Sequence, residues 1–330
     1  MSKNVLVTGG AGFIGSHLIE HIFKNTDWNV VCLDRLDTSG NLNRLSEIID
    51  VNAGYRSRFK FVFHDLKAEL NSLLVNEIGK INYVFHLAAS SHVDRSIENP
   101  MSFVQDNIIG TVNLLNYARS LSTLEYFHAF STDEVFGDAP EGVAYAEWDR
   151  HKPRNPYSAT KSSADQMCYS FFNTYKMPIV VTNCMNVIGE RQHPEKYLPM
   201  CIKKILEGET IKIHTDKNGV PGRRHYVHAR NVSAACLFLI DKAELGERYN
   251  LVGQMELDNL EIASKIADVM GVPFKYEKVD FHSSRPGHDL RYALVDTKLA
   301  KLGFEYPVSF DASFAKTIQW TLKNQRWLGL

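Results

Sequence analysis

Asn4-Val5-Leu6-Val7-Thr8-Gly9-Gly10-Ala11-Gly12-Phe13-Ile14-Gly15 is the stretch that decides the fold. A short β-branched run ends on glycines, and apolar residues at helical spacing follow from Phe13. That order reads as a buried strand, a tight loop and a helix. The loop needs glycine for its turn and for close backbone approach. The helix start offers unpaired N–H groups and positive potential, which suit phosphates. A glycine pattern alone is weak evidence, but here Asp34 closes the next strand. An acid there accepts hydrogen bonds from ribose hydroxyls and repels a 2′-phosphate, which favours NAD over NADP. Arg35 beside it keeps NADP open as the lesser alternative. Gly9, Gly12, Phe13, Ile14, Gly15 and Asp34 are therefore the cofactor candidates. Asp65 and Leu66, after a third strand, are placed to meet the adenine, although an Asp there also serves as a plain helix cap.

Working outward, residues 28–33, 59–63, 82–87 and 126–130 read as further buried strands. Residues 13–23, 102–121 and 158–175 read as helices. Alternation of this kind predicts an α/β fold with a doubly wound parallel sheet covered on both faces. After about Asn186 the pattern becomes irregular and richer in Pro, His and charge, which points to a smaller C-terminal substrate domain. Residues 227–240 and 248–252 read as a helix and a strand that return to the first lobe. The expected division is 1–185 with 227–253 for the NAD-binding domain, and 186–226 with 254–330 for the substrate domain.

The bulk composition fits a cytoplasmic enzyme. The chain has 330 residues, 44% hydrophobic and 23% charged, with a net charge of −1. Such a balance argues against a nucleic-acid or membrane-surface partner. Five cysteines are scattered without a C-x-x-C pair, which reads as structural thiols rather than a disulfide framework or metal site. No signal peptide fits the N-terminus, and no apolar run approaches membrane-spanning length.

Two motifs carry the chemistry. Tyr157 and Lys161 stand four apart in a helical stretch and so share a face. The lysine's charge is expected to lower the tyrosine's pKa and make the phenol a base. Thr132-Asp133-Glu134 precedes them and adds a second acid and a second base. Oxidising an alcohol needs only the first pair; removing water from a sugar needs both. Two neighbouring carboxylates in a closed pocket cannot both ionise cheaply, so their pKa values should separate.

The stretches TGGAGFIGSH, HLAASSHVDRSIENP, STDEVFGD, NPYSATK, HPEKYLP and RPGHDLRYA run in one order over nearly the whole chain. Together they resemble the extended short-chain dehydrogenases/reductases of Rossmann fold, and within them the nucleoside-diphosphate-glucose 4,6-dehydratases. The resemblance implies that Tyr157, aided by Lys161 and Thr132, takes the proton of the sugar 4-hydroxyl while hydride passes to NAD. Glu134 would then remove the C5 proton, Asp133 would protonate the departing 6-hydroxyl, and the hydride would return to C6. NAD is thus implied as a tightly held catalytic cofactor. Leu87, Ala88 and Ala89 would lie beside the nicotinamide ribose and phosphates, and Ser91 near the sugar. Asn186, Lys196, Arg224, Arg285 and His288 match positions that contact the nucleotide sugar. Arginine suits a diphosphate because its fork makes paired, charge-assisted bonds. A homodimer packed through 102–121 and 158–175 is implied as well.

The chain also departs from the family pattern. Asn186-Val187-Ile188-Gly189 replaces Asn-Asn-Tyr-Gly, Lys212-Ile213-His214 replaces a Pro-Ile-Tyr segment near the base, and Met255 stands where a phosphate-contacting Asn is usual. Tyr197, Lys212 and His214 are therefore the expected determinants of base choice, between dTDP- and UDP-glucose with dTDP slightly favoured. Two rival functions remain open. A 4-epimerase or decarboxylase of the same superfamily needs Tyr157 and Lys161 but not the Asp-Glu pair. A non-catalytic, NAD-sensing scaffold needs neither.

Overall fold

A computed structural model describes residues 2–280 and 289–330. Its centre is a seven-stranded sheet built from β1 (Asn4–Thr8), β2 (Asn29–Asp34), β3 (Phe59–Phe63), β4 (Tyr83–His86), β5 (Tyr126–Thr132), β6 (Ile179–Cys184) and β10 (Arg248–Leu251). The order is β10-β6-β5-β4-β1-β2-β3, and every neighbouring pair is parallel. The inner strands are buried along their length, whereas β3, expected to be buried, is an edge strand in which only Val62 is buried and Lys60 and Phe63 are exposed. The chain order reverses between β1 and β4, and a crevice opens at the carboxyl ends of strands at such a switch. The glycine loop leaves β1 there, Leu87–Ser91 leaves β4, and Thr132 closes β5.

One face of the sheet packs against the helices Phe13–Asn25 and Ala229–Lys242 through Leu18, Ile22, Val232, Cys236 and Leu239. The other face packs against Gly110–Arg119 and Pro156–Tyr175 through Leu114, Leu115, Cys168 and Phe171. All five cysteines are buried and free. Two smaller sheets follow. β11 (Met255–Asp258), β9 (Arg223–His228) and β7 (Asn186–Ile188) form one; β12 (Lys275–Asp280) and β8 (Thr210–Thr215) form the other. The helices Tyr197–Glu207, Asn259–Met270 and Phe310–Lys323 close a separate core over them with Ile202, Ile211, Ile262 and Ile318.

Two expectations need correction. The stretch 102–121 is not one α-helix: Pro100–Phe103 and Gly110–Arg119 flank a π-helical turn, Val104–Ile109. The wider turn serves side chains. Asn107 donates to Ser90 O and to Thr160 Oγ1, both at 3.0 Å, and Asp106 meets Arg35 at 2.6 Å. Residues 227 and 228 belong to a strand rather than a helix, because β9 pairs with β7 through His228, which then caps the helix from Ala229. Among the described residues no helix is long and apolar enough to cross a membrane.

Candidate active site

Two adjoining cavities open at the switch point. Asp34, Arg35, Asp65, Leu66 and Ala88 line the first; Phe13, Ile14, Gly15, Thr132, Asp133, Glu134, Tyr157 and Lys161 line the second; Gly9, Gly12, Leu87 and Ala89 line both. All the candidate cofactor residues thus fall on one continuous trough.

The residues fit a dinucleotide. Gly9 has φ +70°, and a Cβ on it would lie 2.7 Å from the Ala88 nitrogen. A Cβ on Gly15 would lie 2.3 Å from the Gly9 oxygen. The two glycines therefore let the loop press against the β4 segment and against its own helix, which brings a helix N-terminus to the floor of the trough. Asp34 accepts from the backbone N–H groups of Ala11 at 3.0 Å and Leu36 at 2.8 Å, so its carboxylate is fixed toward the adenosine end. Burial raises its pKa. Arg35 turns away into ion pairs with Asp37 at 2.5 Å and Asp106 at 2.6 Å. A guanidinium occupied in this way is a poor partner for a 2′-phosphate.

Strand and helix ends bring the catalytic candidates together. Thr132 ends β5 and caps the 3-10 turn Asp133–Phe136. Its hydroxyl donates to Asp133 Oδ1 at 3.0 Å. Tyr157 sits in the first turn of Pro156–Tyr175, a helix started by Asn155 with a capping box to Ser158 and by Pro156 at its first position. The same Asn155 donates to Glu134 Oε2 at 3.4 Å, so the cap that begins the helix also holds the candidate base.

Burial raises both carboxyls, but their neighbours differ. Burial, then the charge of Glu134, pushes Asp133 up to about 7. Its Oδ2 is buried with no hydrogen-bond partner among the described residues. Burial also raises Glu134, but Arg224, Asn155, Lys196 and Tyr292 oppose that rise. Asp133 is thus the better acid to keep its proton, and Glu134 the better base.

The tyrosine differs from expectation. Burial first, and Glu134 second, raise the Tyr157 pKa; the hydrogen bond with Thr132 is what draws it back. Lys161 directs its ammonium to the Phe130 carbonyl at 2.5 Å, and burial lowers its own pKa.

The substrate candidates divide. Ser91, Asn186, Lys196 and Tyr197 line the second cavity, with Lys196 Nζ 3.4 Å from Ser91 O. The Tyr197 hydroxyl donates to Asn259 O at 2.6 Å and so fixes the ring. Arg224 is held by the carbonyls of Arg223, Asp289 and Leu290 and lies 4.3 Å over the Tyr292 ring, where its charge acts on the acid pair. Arg224, Lys212 and His214 are not among the residues lining the described cavities. β8 buries Ile211, Ile213 and Thr215, so its alternate residues face away, and Lys212 is 66% exposed, 3.9 Å from Glu277. Arg285 and His288 lie outside the described residues.

Sequence reasoning missed Arg44, Asn107, Asn155 and Tyr292. Only Asn155 carried a readable signal, an Asn-Pro pair just before a helix.

The family described as GDP-mannose 4,6 dehydratase matches residues 6–317. The dTDP-glucose 4,6-dehydratase of Salmonella typhimurium is 36% identical over 98% of this chain and 94% of its own length. The structure of DesIV, a dTDP-glucose 4,6-dehydratase from Streptomyces venezuelae solved with NAD bound, superposes with a TM-score of 0.89 at 32% identity, covering 98% of each chain. A UDP-glucose 4-epimerase from Thermus thermophilus, also with NAD, superposes at 0.84 with 26% identity, over 96% of this chain and 98% of that one.

Proposed function

The chain belongs to the GDP-mannose 4,6 dehydratase family, and on that premise we propose that it is an NAD-dependent lyase that converts a nucleotide-linked glucose to the 4-keto-6-deoxy sugar. One observation carries the reading. Asp133 and Glu134 share a cavity with Tyr157 and Lys161, where burial raises both carboxyls while Arg224, Asn155, Lys196 and Tyr292 work against the rise at Glu134.

NAD, when bound, would supply the hydride acceptor for C4 and the hydride donor for C6. Gly9, Gly12, Gly15 and Asp34 would hold it, together with Asp65, Leu66, Leu87, Ala88 and Ala89, which line the same trough. Tyr157 takes the proton of the 4-hydroxyl, and its phenol shares a hydrogen bond with the Thr132 hydroxyl. A ketone at C4 acidifies the C5 proton, which Glu134 removes. Asp133 delivers its proton to the 6-hydroxyl, which leaves as water. Glu134 returns its proton to C5. An epimerase would leave the Asp133–Glu134 pair without a chemical role, and a sensing scaffold would leave Tyr157 and Lys161 idle as well.

The substrate reading is dTDP- or UDP-glucose, with dTDP favoured by the dTDP-glucose dehydratases among the relatives. Ser91, Asn186, Lys196 and Tyr197 are its contacts from the described part of the cavity, and Arg224 supports the acid pair beside it. We further read residues 1–185 with 227–253 as the cofactor domain, and 186–226 with 254–330 as the substrate domain. The protein is read as a cytoplasmic homodimer whose subunits meet through the exposed sides of the 100–119 and 156–175 segments, where Met101, Ile109 and Tyr169 are solvent-facing.

The test is to incubate the purified protein with dTDP-, UDP-, CDP- and GDP-linked hexoses and follow product mass and absorbance. Loss of one water without net NADH is expected. A product of unchanged mass, or NADH in proportion to substrate, overturns the reading. Far better turnover of a GDP- or CDP-sugar overturns the nucleotide assignment alone.

A further inference from the structure

Arg44 lines the cavity beside Gly12, Phe13 and Ile14 although the residue is only 2% exposed. Its guanidinium is bonded on two of its three nitrogens. Nε donates to Arg191 O at 2.9 Å, and Nη1 donates to Ala11 O at 3.1 Å and Ser39 O at 2.7 Å. Nη2 makes no hydrogen bond among the described residues. The acids on that side, Glu20 and Glu47, pair with Arg191 instead. Among the described residues no carboxylate forms an ion pair with Arg44. One face of the guanidinium packs on Trp327 at 5.2 Å, and the indole N–H of Trp327 bonds Glu47 at 3.1 Å.

A buried cation whose direct contacts are neutral carbonyls and a ring, with Asp34 and Glu47 acting on it only through their charge and Arg191 opposing them, gains from an anion that joins it. The rotamer is already fixed by Trp327 and three carbonyls, so little freedom is lost when a fourth partner arrives. The open edge belongs to a residue lining the cavity at the start of the helix Phe13–Asn25, where backbone N–H groups also favour negative charge.

We propose that Arg44 is a cofactor-binding residue whose Nη2 edge donates to a pyrophosphate oxygen of NAD, adding a charged contact to the backbone contacts of the helix N-terminus. The proposal rests on NAD binding to this chain but on no step of the sugar chemistry. It also accounts for the packing of the C-terminal turn, since Trp327 braces the arginine that grips the cofactor.

Full-length protein, freed of nucleotide, should be titrated calorimetrically with NAD, ADP-ribose and adenosine, for the parent and for Arg44→Met. A charged hydrogen bond lost should weaken NAD and ADP-ribose by about tenfold to a hundredfold, while adenosine, which has no phosphate, should bind within twofold of the parent. A role confined to bracing Ala11 and Ser39 would weaken adenosine as much as ADP-ribose, and that result overturns the proposal. So does an Arg44→Met protein that binds ADP-ribose as the parent does. If Arg44→Met does not fold, Arg44→Lys decides: the ratio of ADP-ribose to adenosine affinity should fall several-fold, because the lysine cannot hold the carbonyls and reach the phosphate together. An unchanged ratio sinks the idea. Failure of the parent to bind NAD at all would instead overturn the cofactor assignment.

Discussion

The Tyr292 hydroxyl donates to Glu134 Oε2 at 3.3 Å, and the Arg224 guanidinium lies over the same tyrosine ring at 4.3 Å. The candidate base is thus oriented by a residue from the far end of the chain. Tyr292 also helps hold the Glu134 pKa down. Tyr292→Phe removes that donor, so the acidic limb of the pH–rate profile should move to higher pH. The plateau kcat should drop by roughly tenfold, as for a lost hydrogen bond to a charged group. The profile of kcat against pH is the measurement; an unmoved acidic limb would show that Tyr292 has only a packing role.

Glu134→Gln and Tyr157→Phe should fail at different steps. Without the C5 base, hydride can still leave C4, so Glu134→Gln mixed with substrate should show nicotinamide reduction at 340 nm but almost no product. Tyr157→Phe should show neither. Each loss is expected to cost about a hundredfold to ten-thousandfold in turnover. Stopped-flow absorbance with quenched mass spectrometry separates the two outcomes.

Asp133 is needed in its protonated form, and its pKa is pushed up to about 7. In the free protein the acid is therefore available below about pH 7 and is lost as pH rises through that value, so kcat/KM should fall on the alkaline side. The same residue costs stability. A carboxyl that ionises near 4 when unfolded and near 7 when folded makes the folded state lose ground between those pH values. The loss is on the order of 4 kcal/mol above the window. Asp133→Asn should abolish turnover yet melt several degrees higher than the parent at pH 8, with the advantage shrinking toward pH 4. Calorimetric melts across that range check the sign.

Gly15→Ala places a methyl 2.3 Å from the Gly9 oxygen and 2.8 Å from the Gly10 Cα, both backbone atoms. The loop must shift. Overpacking of this kind typically costs about 1–3 kcal/mol, and NAD affinity should fall by at least about tenfold because the phosphate-binding N–H groups move with it. Thermal melts and NAD titration of the variant give both numbers.

Lys212 is well exposed. Lys212→Ala should leave the ratio of inhibition constants for dTDP and UDP within about twofold, since an exposed side chain contributes little binding free energy. A changed ratio would put Lys212 back among the base contacts.

How much of this was legible in the sequence follows from the range of each signal. Asn4–Thr8 is where the apolar run puts it, because a strand buried on both faces needs only local composition to be recognised; Phe59–Phe63 is a strand too, but an edge strand that buries only Val62, since apolar composition does not say where in the sheet a strand lies. The glycine loop, Asp34, the Thr132–Glu134 triplet and the Tyr157–Lys161 pair line the trough as expected, since each motif encodes its own local geometry. The π turn at Val104–Ile109 was invisible because its apolar spacing matches an α-helix; its cause lies in contacts to Ser90, Thr160 and Arg35 on other segments. β7, β8, β9, β11 and β12 were not read as strands, being short or polar and paired with distant partners. Tyr292 and Arg44 were missed for the same reason. A tyrosine and an arginine carry no periodic signature, and their importance comes from which carboxylate or carbonyl the fold sets beside them.

The hydrogen bond between Thr132 and Asp133 bears on how the protein returns to its starting state. In the proposed cycle Glu134 would borrow a proton and give it back, while Tyr157 would end with one proton too many and Asp133 with one too few. The Thr132 hydroxyl donates to Asp133 Oδ1 and also shares a hydrogen bond with the Tyr157 phenol. A hydroxyl can receive on one side while it releases on the other. On those roles the surplus on Tyr157 can refill Asp133 through the Thr132 hydroxyl, all three side chains lining the same cavity. The triplet and the tyrosine then form a closed proton circuit, and an enzyme wired in this way resets itself as it discharges its product.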